Sequence, residues 1–97
     1  MALNETPLLR QTISSQTRSD SIRINKGRII LDIGSGSTCT VDVKMMNGTW
    51  IPLCDQYGTA YSYTSDVALL FDGQGAEYSI NVPTYSAAVE IEIHAGH

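Results

Sequence analysis

From Ser21 onward, apolar and polar residues alternate with a period of two, and no stretch of ten or more residues follows a helical period. A chain patterned this way buries one face of each strand, which confines it to antiparallel β architecture. The alternation is cleanest over 38–46. There Cys39, Val41, Val43 and Met45 are expected inward, and Thr38, Thr40, Asp42 and Lys44 outward. It recurs at the C-terminal end, with Val89, Ile91 and Ile93 inward and Glu90, Glu92 and His94 outward.

Turn signals divide the pattern. Asn25-Lys26-Gly27, Asn47-Gly48, Asp55-Gln56-Tyr57-Gly58 and Asp72-Gly73-Gln74-Gly75 read as turns, and Gly34-Ser35-Gly36-Ser37 as a flexible loop. Asn47-Gly48 is the strongest hairpin signal in the chain. Between these signals lie eight expected strands: 21–25, 27–33, 38–46, 49–53, 59–64, 67–71, 77–82 and 88–94. Pro52 argues for an edge position for the fourth, since proline cannot donate to a ladder. The expected fold class is all-β, an antiparallel two-sheet sandwich or jelly roll of about eight strands, with a closed barrel as the alternative.

At 97 residues the chain has the size of one domain. Hydrophobic residues make up 42% of it, enough for a core, and charged residues 16%, against about 25% in soluble proteins generally. A body poor in charge suits strands whose outer faces meet neighbours. The first twenty residues differ from the rest, being polar and without sustained period, and they read as an extended arm (1–20) ahead of a β-sandwich domain (21–97).

Charge is split along the chain. Residues 1–28 hold five cations against two acids, and residues 29–97 hold one cation against eight acids. A basic arm beside an acidic body is expected to bind a partner's acidic surface, such as another copy of the body, although the arm could also cover its own body. Leu3, Leu8, Leu9 and Ile13 would anchor the arm, with Arg10 and Arg18 supplying charge. Nucleic acid is not an expected partner, because the body would repel phosphate. The apolar runs are too short to span a membrane as a helix. The first residues lack the basic and apolar regions of a secretory signal, so synthesis in a cytoplasm is the expectation. Cys39 and Cys54 are too few for a disulfide framework, and both are expected reduced, Cys39 within the core.

No residue pattern names a reaction. Nucleophilic catalysis needs a Ser or Cys beside an oriented base, and the two histidines, His94 and His97, lie at the C-terminal end. Glu90, Glu92 and His94 fall on one strand face and have the donor chemistry of a metal site, but no second strand supplies a ligand. The chain is expected to be no enzyme and to need neither metal nor cofactor. Among the aromatic residues, Trp50 is expected in the core. Tyr57, Tyr61, Tyr63 and Tyr85 are candidate surface contacts, able to fill an interface or stack on sugar rings.

Three segments carry a resemblance: Lys26-Gly27-Arg28-Ile29-Ile30-Leu31, Asn47-Gly48-Thr49-Trp50, and Phe71-Asp72-Gly73-Gln74-Gly75-Ala76-Glu77-Tyr78. Across about 20–95 the chain resembles small virion proteins of tailed bacteriophages, which pair an N-terminal extension with a compact β-sandwich or jelly roll. The resemblance implies a structural role in the virion. The leading expectation is a capsid decoration (cement) protein that binds the major capsid protein or another virion protein, as a homo-oligomer with a trimer favoured. A tail, neck or adaptor component and a carbohydrate-binding module are the rival expectations. No functional residue carries over, because such proteins work by surface fit.

Overall fold

In the computed structural model, which describes residues 8–95, two long strands are re-phased in mid-course, and this organises the fold. Six strands form one antiparallel sheet: β1 (Leu9–Ile13), β2 (Ile22–Ile33), β3 (Thr38–Lys44), β4 (Trp50–Pro52), β5 (Val67–Thr84) and β6 (Val89–Ala95). Their order across the sheet is β1-β6-β2-β5-β3-β4. The described residues contain no helix.

The eight expected strands give way to six among the described residues: two of the expected turns are bulges inside continuous strands, 59–64 forms no strand, and Leu9–Ile13 of the expected arm forms one. Residues 21–25 and 27–33 are joined in β2, whose pairing with β5 shifts register between Ile24 and Lys26. Residues 67–71 and 77–82 are likewise joined in β5 through Gly73, Gln74 and Gly75. Side chains in a regular strand alternate, so residues an odd number apart face opposite ways. Ile24 and Ile29 are both fully buried although five positions apart, and Phe71 and Tyr78 share the core although seven apart. A bulge adds the extra residue that restores the face. Gln74 takes a φ of 52° in this bend, and the inward Gly73 leaves no room for a side chain.

The bends let each long strand serve two sets of neighbours. Residues 27–33 of β2 lie between β6 and the first half of β5. The second half of β5 lies between the first residues of β2 and β3. Ile13, Ile29, Leu31, Ile91 and Ile93 from the first region meet Ile24, Cys39, Val41, Ile80 and Val82 from the second in a single buried cluster. Each such side chain contributes about 1.5–3 kcal/mol on full burial.

The remaining expected strand, 59–64, is absent. That segment makes only the isolated bridges Cys39↔Tyr63 and Cys54↔Ala60. The Asp55 carboxylate accepts from the backbone N–H groups of Tyr57 and Thr59, at 2.8 and 3.0 Å, and holds the preceding turn in place of a ladder. The expected hairpin forms at Asn47-Gly48, with Gly48 alone of the two at a positive φ, 90°, the Met45 N–H donating to the Thr49 carbonyl at 2.8 Å and the Gly48 N–H to the Met45 carbonyl at 2.9 Å. Gly34-Ser35-Gly36-Ser37 is a pinned loop. The Ser37 hydroxyl donates to the Ala87 carbonyl at 2.6 Å and accepts from the Ser86 and Ala87 N–H groups.

Val41, Ile80, Ile91 and Ile93 are buried as the alternation requires, and Lys44 and Glu90 are exposed. Val43, Glu92 and His94 are half-buried, and three other expectations fail. Met45 is 44% exposed rather than inward, because β3 ends at Lys44 and Met45 opens the turn. Asp42 is buried, and Trp50 lies outside the core cluster. Both belong to one feature on the outer face.

Candidate interaction surface

The arm expected to bind a partner is, from Leu8 onward, hydrogen-bonded to its own chain. The Leu8 N–H donates to the Ile93 carbonyl at 2.6 Å, and β1 then pairs with β6 from Leu9↔Ile93 to Ile13↔Val89. Ile13 is 2% exposed and Leu9 packs against the core. Arg10 sits 3.8 Å from Glu92 on the neighbouring strand, an exposed pair worth little to stability.

After β1 the chain crosses to β5. The Ser19 N–H donates to the Ile80 carbonyl at 2.8 Å, and the Val82 N–H donates to the Thr17 carbonyl at 3.0 Å. Residues 17–19 therefore extend the line of β2 along β5. Residues 8–13 and 17–19 are thus both hydrogen-bonded to strands of the body. The reason is chemical: Ile13 fills a core position, and Ser19 is buried with its hydroxyl accepting from the Ile80 N–H at 2.9 Å. Leu3 lies outside the described residues. Leu8 is 45% exposed, more open to solvent than Leu9 or Ile13.

Arg18 lands on the outer face of β3. Its guanidinium donates to the Asp42 carboxylate at 2.7 Å, and the Thr40 hydroxyl donates to the other Asp42 oxygen at 2.8 Å. Asp42 is thereby covered to 3% exposure on a face the alternation assigns to solvent. Arg18 also lies 4.9 Å from the centre of the Trp50 ring, and the Lys44 ammonium lies 5.8 Å from it. Trp50 is half-buried under two cations and is not a bare platform for a sugar ring. Sequence periodicity carries no sign of this cluster, because Arg18 and Asp42 are 24 positions apart.

The candidate tyrosines separate into two kinds. Tyr57 and Tyr61 are 84% and 48% exposed. Tyr63 and Tyr85 pack against the core, and burial pushes the Tyr63 phenol above its ordinary value. Other large apolar side chains are exposed elsewhere along this part of the chain: Met45 and the fully exposed Met46 at the hairpin tip, and Ile51 on β4 at 40% exposure. The Tyr61 N–H donates to the Leu53 carbonyl at 3.0 Å, which ties the tyrosine segment to the end of β4. The hairpin tip, β4 and the turn after it thus form one stretch of chain rich in exposed large side chains.

Two acidic features complete the surface. Asp32 faces Glu90 across β2 and β6, and Asp66 stands beside it with one oxygen accepting from the Ile33 N–H at 2.9 Å. Repulsion from Asp66, and a hydrogen bond with it that requires a proton, hold the Asp32 carboxyl above the ordinary aspartate value. Glu77 is shifted the other way, chiefly by the hydrogen bond it accepts from the Ser21 hydroxyl. Among the described residues, no three His, Cys, Asp or Glu side chains are arranged to hold a metal ion. His94 lies 3.0 Å from Glu92 on the same strand. Both cysteines are free, Cys39 buried and Cys54 exposed.

The chain matches no protein-family model, no curated protein and no solved structure.

Proposed function

We propose that this chain is a structural protein that acts by surface fit, and specifically a capsid decoration protein of a tailed bacteriophage. The observation that carries the structural part is the set of large side chains exposed between Met45 and Tyr61, on a body whose strands pair in one sheet. Met45, Met46, Ile51, Tyr57 and Tyr61 are the side-chain types enriched where proteins meet. The virion part rests on the resemblance of the three segments given above. The register supports a two-layer arrangement of jelly-roll type, in which the two halves of β2 and β5 belong to facing layers that share one core.

In this reading the hairpin tip and the turn after β4 dock on the major capsid protein, and the residues before β1 extend the contact. The chain itself would be homo-oligomeric on the particle. The test uses purified virions and heads stripped of the protein. Re-addition should saturate at a fixed number of copies per head and raise the head's melting temperature. Met46→Asp with Ile51→Asp should abolish binding while the variant's own melting curve stays close to wild type. Saturable binding with no loss in that variant would move the contact elsewhere, and no binding to heads would remove the decoration reading. A tail, neck or adaptor position is the outcome if the chain locates there in the particle. Exposed Tyr57 and Tyr61 favour one second reading, a glycan-binding module, which requires retention on polysaccharide that Tyr57→Ala and Tyr61→Ala abolish.

A further inference from the structure

Residues 67–72, the first third of β5, pair with β2 on one side only. On the other side β3 pairs with β5 only from Tyr78 to Thr84, and no strand among the described residues lies along 67–72. Natural edge strands are protected by charge, proline or a bulge, because their unpaired N–H and C=O groups recruit other strands. Val67-Ala68-Leu69-Leu70-Phe71 has none of these, and the bend comes only at Gly73. Leu70 points outward and is 87% exposed, while Val67, Leu69 and Phe71 are only half-covered.

We propose that this edge pairs with the same edge of a second copy, antiparallel about a twofold axis at Leu70. A twofold interface requires a self-complementary surface, and this segment supplies one. Centring on Leu70 sets it against Leu70 of the other copy on the outer face, and sets Leu69 against the other copy's Phe71 on the inner face. Ala68 then meets Asp72, so no like charges oppose each other. Centring on Leu69 would set Asp66 directly against Asp72 at both ends, which is destabilising. Centring on Ala68 would place Leu70 against Asp66 and run off the start of the strand. The absence of charge within 67–71 removes the means of preferring an unlike partner, and favours a second copy. So short an edge covers well under the roughly 1,200 Å² of a standard stable interface, so the dimer is weak and concentration-dependent.

The experiment is sedimentation equilibrium of the full chain under reducing conditions, from about 10 to 500 µM, a range that spans weak association. Wild type should pass from monomer to dimer across it. Leu70→Lys alters an exposed side chain, and its fold is checked by its melting curve. It should weaken the dimer at least about tenfold. Met46→Lys, on the hairpin tip, should leave the dimer unchanged. Amide exchange at 67–72 should slow with concentration in wild type and not in Leu70→Lys. A chain that stays monomeric throughout overturns the inference, as does a folded Leu70→Lys that dimerises like wild type or a dimer lost equally in Met46→Lys. The inference goes beyond the virion reading and does not need it. A monomer that still bound heads would overturn this inference alone, and a dimer that bound no heads would overturn only the other.

Discussion

Arg18 donates to Asp42 at 2.7 Å across 24 positions of sequence, and the contact binds the segment before β2 to the middle of β3. Asp42 has almost no access to water, so it depends on Arg18 and Thr40 for its hydrogen bonds. Arg18→Ala should destabilise the fold, by less than the about 3–5 kcal/mol of breaking a fully buried pair, since the Arg18 side chain is 30% exposed. Asp42→Asn in that background should recover part of the loss. A double-mutant cycle read by urea denaturation gives the coupling, and a value near zero would show that the pair is incidental.

Val41 is 3% exposed in the core and Asp42, the next residue, is covered on the opposite face. Val41→Asp should cost several kcal/mol, as an unpaired buried carboxylate does. A variant with the wild-type melting temperature would contradict the register of β3 against β5.

Gly73 sits where β5 bends. A Cβ there would lie 2.5 Å from the Ile24 carbonyl oxygen and 2.8 Å from the Tyr78 ring. Gly73→Ala should therefore destabilise by about 1–3 kcal/mol through overpacking. Gly48→Ala meets nothing within 4 Å and should cost only the roughly 1–2 kcal/mol of a positive φ. Chemical denaturation of the two variants compares them, and an equal or smaller loss at Gly73 would mean that the bend is soft.

Asp32 has its carboxyl raised by Asp66 first and Glu90 last. A raised acid is protonated more readily in the folded state than in the unfolded one. Its favourable contribution is present below the unfolded value and is lost as pH rises through the folded value. Asp32→Asn should therefore stabilise the protein at neutral pH and do little in acid. For Glu77, which is lowered, the sign reverses: its contribution is present at neutral pH and lost as pH falls through the acidic range. Melting temperatures across the acid-to-neutral range check both. An Asp32→Asn variant less stable than wild type at neutral pH would contradict the repulsion.

Burial pushes the Cys39 thiol up to about 11, whereas Cys54 is exposed. A thiol reagent at mildly alkaline pH should modify one cysteine quickly and the second only at the rate of unfolding. Rapid reaction of both would show that the core opens locally around β3.

The local pattern of this sequence determined its β class, the inward faces of β3 and β6, and the Asn47-Gly48 hairpin. Each depends on alternation or on the backbone preference of one or two neighbouring residues. Tertiary structure decided what local pattern cannot carry. Asn25-Lys26 and Gly73-Gln74-Gly75 have the composition of turns, yet they are bulges, because Ile24 must share a face with Ile29 and Tyr78 with Phe71. Asp42 belongs by parity to solvent, yet it is buried, because Arg18 arrives from a segment whose composition reads as a free arm. That segment is held by ladder bonds to β6 and β5, and backbone hydrogen bonding leaves no mark on side-chain composition. The unpaired edge at 67–72 follows from the same cause, since which strands lie side by side is fixed only once the chain has folded.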